Sequence, residues 1–213
     1  LDIRMKEGNS KKVSGQGGIG LLFSRFAIEA PIVKDKSSFL IAGRRSYADI
    51  LARPFLNDDL SDSQFYFYDL TAKFNYKFSD KDKIYASGYF GRDVFAAGFG
   101  FNWGNATSTV RWNHLYNDKM FSNVTAYYSN YDFNIGVGDE ETGGFRWKGN
   151  IINYSVKPEW TYYANAKNTV SFGVQSILYQ FQPGNSEFYS EGETFDFSQD
   201  NRYGLENAAY VGN

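Results

Sequence analysis

From Tyr66 to Phe78 apolar and polar positions alternate without interruption. Tyr66, Tyr68, Leu70, Ala72, Phe74, Tyr76 and Phe78 fall on one side, and Phe67, Asp69, Thr71, Lys73, Asn75 and Lys77 fall on the other. A period of two predicts a β-strand, because successive side chains point to opposite faces of a sheet. The polar run Ser79 to Lys83 turns the chain. A second strand follows, with Ile84, Ala86, Gly88 and Phe90 opposite Tyr85, Ser87, Tyr89 and Gly91. The first strand is longer than the roughly five or six residues usual in soluble sheets. Its apolar side carries aromatics at both ends, as a strand crossing a bilayer would over about 9–11 tilted residues. That pattern assigns Tyr66, Tyr68, Leu70, Phe74, Tyr76 and Phe78 to lipid, and Asp69, Thr71, Lys73, Asn75 and Lys77 to a lumen.

The same alternation recurs along the chain. Residues 105–116, with Val110 and Trp112 on one side, turn at Asn117 to Lys119 into a return strand at 121–133. Residues 150–162, with Trp160 and Tyr162 on the apolar side, turn near 166 into 169–181. Trp112, Trp160 and Tyr162 therefore join the lipid-facing set. Earlier, 13–32 reads as one long Gly-rich segment and 39–54 as the next strand; a last strand begins near residue 206. Short turns fall near residues 36, 81, 118 and 166, and longer loops near 59, 98, 142 and 194. Short turns at one rim and long loops at the other describe an outer-membrane barrel.

Composition agrees. Aromatics make up 19% of the 213 residues, well above ordinary globular usage, and there is no cysteine, hence no disulfide, thiolate metal site or thiol nucleophile. No apolar run approaches the roughly 18 residues of a membrane helix. A net charge of −2 gives no basic stripe for nucleic acid. Both ends fall inside strand patterns, so a segment of a longer polypeptide is expected.

Candidate chemistry is sparse. Gly15 to Gly20 spells G-x-G-x-x-G, but no hydrophobic strand precedes it and no helix follows, so a barrel strand with room for close packing is the better reading. Either choice of face points Arg44 or Arg45 away from the lumen, near the far interface, as a rim arginine or a lipid-phosphate contact. The loops hold acidic groups: Asp58, Asp59 and Asp62; Asp139, Glu140 and Glu141; Glu187, Glu191, Glu193, Asp196 and Asp200. None has a calcium-loop spacing, and solvated charge is the default. Phe99, Phe101, Trp103, Phe145 and Trp147 are candidate loop contacts for a ligand, or else pack the loops or complete an upper aromatic girdle. The single histidine, His114, lies in a strand with no matching nucleophile motif. No catalytic, metal or cofactor residue is assigned, and no enzyme activity is expected.

The run LDIRMKEGN (1–9) and the segment AIEAPIVKDKSSFLIAGRRSYADIL (27–51) carry a family resemblance. Glu29, Pro31, Ile32, Lys34, Asp35, Lys36, Ser38, Phe39, Leu40, Arg44, Ser46 and Tyr47 resemble the first barrel hairpin of TonB-dependent outer-membrane receptors of the Bacteroidetes type. The phrases at 104–133 and 206–211 are also similar to that family. The resemblance implies an all-β, antiparallel transmembrane β-barrel of roughly 22 strands closed by a plug. Residues 1–12 would then be the end of the plug domain and its link to the barrel, and 13–213 about nine strands of the barrel's first part. It implies a Gram-negative outer membrane, contact with the lipid bilayer and lipopolysaccharide, the rest of the barrel and plug as partners, and TonB acting through the missing N-terminal part. Its implied function is TonB-coupled import of a scarce nutrient caught at the extracellular loops. The ligand and any surface lipoprotein capping the barrel stay open. The rival readings are a small self-contained outer-membrane barrel (porin, adhesin or structural) and a soluble all-β carbohydrate-binding module.

Overall fold

The computed structural model describes residues 6–55, 63–139, 142–190 and 192–213. They form one antiparallel sheet of eleven strands in which β1 to β10 pair in chain order. The strands are β1 (Ser14–Ile19), β2 (Phe23–Val33), β3 (Ser37–Ser46), β4 (Gln64–Lys77), β5 (Asp82–Ala97), β6 (Phe99–Asn117), β7 (Met120–Asp139), β8 (Gly143–Asn165), β9 (Asn168–Ser190), β10 (Glu193–Ser198) and β11 (Arg202–Gly212). The last two both pair with β9, β10 along its upper part and β11 along its lower part, so together they trace one interrupted strand.

The sheet is a single layer without a hydrophobic core. Among the described hydrophobic residues only Ala30, Ile177 and Tyr189 are buried. Leu70, Phe90, Val110, Trp112, Tyr154, Val156 and Leu178 are all exposed, and cross-strand register puts them on one face. A bare apolar face of that extent needs a partner phase. A soluble sandwich would bury such a face against a second sheet, and none is present among the described residues.

The strands depart from the sequence reading in five places. Residues 13–32 break at Gly20 to Leu22 into β1 and β2, which pair as a hairpin. The strand expected at 39–54 stops at Ser46 and gives way to α1 (Ala48–Ala52) and a 3-10 turn at Arg53–Phe55. The loop expected around 98 is a tight turn between Ala97 and Phe99, which Gly98 makes with a φ of 70°, a region glycine enters without steric cost; around 142 the strands run on to Asp139 and Gly143, which pair directly. The long polar loop expected at 182–205 is mostly strand. The acidic run at 58–62 and residues 1–5 of the strand pattern read at the start of the chain lie outside the described residues; Lys6 is not in a strand.

The segment before β1 lies across one face of β2–β4. The Lys6 ammonium donates to Glu29 (2.7 Å), the Lys73 ammonium to the Lys6 carbonyl (3.0 Å), and the Ser38 hydroxyl to the Gly8 carbonyl (2.8 Å). A Cβ on Gly8 would stand 2.3 Å from the Phe39 carbonyl oxygen, so only glycine lets the two backbones approach this closely.

Candidate ligand-contact wall

The register fixes which residues share a face. On β4, Tyr66, Tyr68, Leu70, Phe74 and Tyr76 lie on one side, aligned through β5 with Trp112 on β6 and onward to the side of β8 that carries Trp160 and Tyr162. Phe78 follows β4 and packs on Tyr76 at 4.7 Å between ring centroids. Trp160 stacks on Phe172 at 5.5 Å. This is the Leu70 face.

Asp69, Thr71, Lys73, Asn75 and Lys77 lie on the opposite, Lys73 face. Asp69 pairs with Arg44, and Asn75 donates to Ser38 at 2.6 Å. Farther round the same face, Arg111 lies over the Tyr85 ring at 4.7 Å, and Lys157 pairs with Glu159 at 3.0 Å, which also accepts from Tyr210. Polar side chains on this face thus find one another, while the middle of the Leu70 face is apolar and its polar contacts, such as Trp112 and His114 on Asp82, lie at its edge. Arg44 and Arg45 part company accordingly: Arg44 belongs to the Lys73 face, and Arg45 lies over the Tyr66 ring at 5.4 Å.

Higher along β4–β9 the polarity of the two faces exchanges. Phe65, Phe95, Phe101, Ile135 and Trp147 run across five strands in register, with Trp103 and Phe133 below them and Phe99, Val137, Phe145 and Phe188 above. All continue the Lys73 face. Phe101 and Trp103 stand 4.6 Å apart, Phe65 and Phe95 4.9 Å, and Phe133 and Trp147 5.2 Å. The five aromatics expected in loops (Phe99, Phe101, Trp103, Phe145 and Trp147) are therefore strand residues of a single wall, a correction to their place but not to their grouping. Trp147 lies directly over Gly184, where a Cβ would come 1.9 Å from the indole nitrogen. Two residues of β9, Pro183 and Gly184, oppose Gly149 of β8 alone, and this bulge keeps Phe188 on the aromatic side.

Above the apolar part, the Leu70 face becomes polar. Arg92 lies flat over Gly104 and reaches Asn102 (2.9 Å) and Asp132 (2.7 Å). A Cβ at position 104 would stand 2.8 Å from the guanidinium. Asn134, Lys148, Asn150, Gln182 and Asn185 complete an open cavity of about 370 Å³. Lys148 is held by Glu187 at 2.8 Å. The side-chain oxygens of Asn134, Asn150 and Asn185 are buried without a hydrogen-bond partner, each costing about 1–3 kcal/mol where it stands.

The other candidates carry little chemistry. Gly15 to Ile19 belong to an antiparallel strand with no helix after it, unlike the strand–turn–helix of a dinucleotide site. A Cβ on Gly15, Gly17 or Gly18 would have no neighbour nearer than 3.6 Å, so among the described residues nothing packs closely on these glycines. His114 Nδ1 meets Asp82 at 2.7 Å, and Asp82 also accepts from Ser79 (2.9 Å) and Trp112 (3.1 Å). The carboxylate sits between hydroxyl and imidazole, which is not the order that activates a serine. Among the described residues no three His, Asp or Glu side chains gather for a metal. Glu140, Glu141 and Glu191, and the side chain of Asp139, lie outside the described residues.

No protein-family model and no curated protein matches the sequence. The fold is similar to the ferric yersiniabactin uptake receptor FyuA from Yersinia pestis, with a TM-score of 0.52 at 11% identity; the match covers 93% of this chain and 37% of that one. A looser likeness is to the outer membrane protease OmpT from Escherichia coli, with a TM-score of 0.37 at 13% identity, over 89% of this chain and 80% of that one. The fold is that of an antiparallel outer-membrane β-barrel wall. The chain spans only about 37% of the length of the receptor it matches.

Proposed function

We propose that this chain is part of the barrel wall of a TonB-dependent transporter of the Bacteroidetes type in a Gram-negative outer membrane. It would contribute to nutrient import by binding and gating, with no covalent chemistry. The observation that carries this reading is the division of one coreless sheet into a bare apolar face and a self-paired polar face. The Leu70 face then meets lipid, and Tyr76, Trp112, Trp160 and Tyr162 form its periplasmic girdle. The Lys73 face lines the lumen. The segment at 6–10, packed on that face, is in the right place for the link from a plug at 1–12 to the barrel beginning at residue 13. The likeness to a receptor that is much longer than this chain supports a barrel segment.

In this reading Phe99, Phe101, Trp103, Phe145 and Trp147 line the inner wall of the extracellular vestibule and contact ligand. Flat apolar rings grip ligands that present a planar or ring face, and they exclude water around it. TonB would act on the plug, and a surface lipoprotein could cap the vestibule. The test is the parent polypeptide extracted from outer membranes in detergent. Its mass should be several times the 24.3 kDa of this chain, and it should bind the periplasmic domain of TonB. A parent near this mass, or one that ignores TonB, overturns the proposal.

A further inference from the structure

The polar cavity on the Leu70 face faces away from the lumen, so the imported nutrient cannot use it. Its height identifies what can. On β6 ten positions separate Trp112 from Asn102, and on β8 ten separate Trp160 from Asn150. At about 3.3 Å per residue and a tilt of about 40°, that is about 25 Å, the height of the apolar band of an outer-membrane barrel. The cavity therefore begins where hydrocarbon ends and the headgroups of the outer leaflet begin.

We infer that Asn102, Asn134, Asn150 and Gln182, with Arg92 and Lys148, form a binding site for the saccharide headgroup of an outer-leaflet glycolipid. The inference rests on the outward assignment of the Leu70 face. The chemistry selects sugar over bare phosphate. Arg92 is held by Asp132 (2.7 Å), and Lys148 (2.8 Å) shares Glu187 with Arg146 (3.7 Å), so each of these cations already has a carboxylate partner. What remains is a row of amides, each both donor and acceptor. The oxygens of Asn134 and Asn150, and that of the neighbouring Asn185, are partnerless, and hydroxyl donors are what they lack. Vicinal hydroxyls match the two-pronged reach of an amide. Gly104 matters because it lets the Arg92 guanidinium lie across β6 and fix the floor of the cavity.

The test uses the full-length barrel purified in mild detergent, with lipopolysaccharide per barrel measured by native mass spectrometry. The double variant Asn134→Leu/Asn150→Leu should retain at least tenfold less lipopolysaccharide than wild type while keeping the gel mobility of a folded barrel. Gln182→Leu serves where the double variant fails to insert, with an expected loss of about threefold. In bilayers of phosphatidylethanolamine and phosphatidylglycerol alone, wild type and variant should retain lipid equally. Undiminished lipopolysaccharide in both variants overturns the inference. So does retention of phosphatidylglycerol that the variants lose, which would mean phosphate recognition. Binding of released core oligosaccharide without binding of intact glycolipid would overturn the membrane source. If Leu70→Arg inserts as well as Thr71→Arg, the outward assignment has failed; if that contrast holds and retention is unchanged, only this inference fails.

Discussion

In the lower half of the sheet Leu70, Val110, Ala126 and Val156 share one face, and Lys73, Arg111, Thr125 and Lys157 share the other. Higher along the same strands, Asn102, Asn134 and Asn150 occupy the first face, and Trp103, Phe133 and Trp147 the second. The backbone is continuous and the period of two is kept; only the phase of hydrophobicity reverses. In the proposed membrane orientation, solvent sets that phase. In hydrocarbon the outward side must be apolar and a watered lumen takes the polar groups. Above the bilayer the outward side is wet, and the inner side is free to carry aromatics. The contrast teaches that the apolar side of a long barrel strand reports the medium at a given height rather than the identity of a face.

The strongest way to break the comparison is a charge in the lower half. In the proposed orientation Leu70→Arg places a guanidinium near mid-band on the outward face, and the expected cost is about 2–4 kcal/mol with poor insertion. Thr71→Arg turns the same charge inward and should cost much less. Refolding of the full-length barrel into bilayers measures both. Equal stability would erase the distinction between faces on which the membrane reading stands.

Much of the lower half was legible from sequence because alternation, aromatic ends and Lys/Asp/Asn turns agree there. Tyr66 to Lys77 is in strand, its two sides are the sides read from the alternation, and Trp112, Trp160 and Tyr162 fall on the Leu70 face. The upper half was misread as loops for a physical reason. Gly98, Gly100, Gly104, Gly136, Gly138, Gly143 and Gly144 interrupt the pattern. The reversed phase also makes Phe99, Phe101 and Trp103 look like a continuation of nothing below. Their own odd-numbered spacing, shared by Phe145 and Trp147, was the available signal. The Arg92–Asn102–Asp132 group was not legible, since its members are neighbours only across three strands. Breaking 13–32 at Gly20 was equally hidden, because a hairpin of two glycine-containing strands and one long strand share a composition.

The next prediction sharpens the upper half. Gly184 has a φ of 145°, where a side chain is strained, and its hydrogen faces the Trp147 indole. Gly184→Val should displace Trp147 and destabilise the upper wall by about 1–3 kcal/mol. Insertion should be normal, because residue 184 lies above the band in the proposed orientation. Limited proteolysis of the upper hairpins and the thermal midpoint in detergent separate the two effects. Unchanged protection would mean that Trp147 does not depend on this glycine, and that the aromatic wall is looser than its ring distances imply.

The smallest effect belongs to the turn between β4 and β5, periplasmic in the proposed orientation. Lys77 and Asp80 pair at 2.5 Å, three residues apart, and the hydrogen bond from Lys77 holds the Asp80 carboxyl below its usual range. A depressed carboxylate favours the folded state above its unfolded pKa, and that contribution fades as pH falls through the folded value. Asp80 is fully exposed, however, and water and salt screen the pair. Asp80→Ala should leave the denaturation midpoint unchanged at pH 7 and at pH 3. A shift at pH 7 that vanished at pH 3 would show the pair to be coupled to the barrel rather than to solvent. Position relative to the bilayer would then no longer rank these substitutions. Leu70→Arg and Asp80→Ala lie on the same β4–β5 hairpin, so the ranking compares two sites whose main difference is the medium around them.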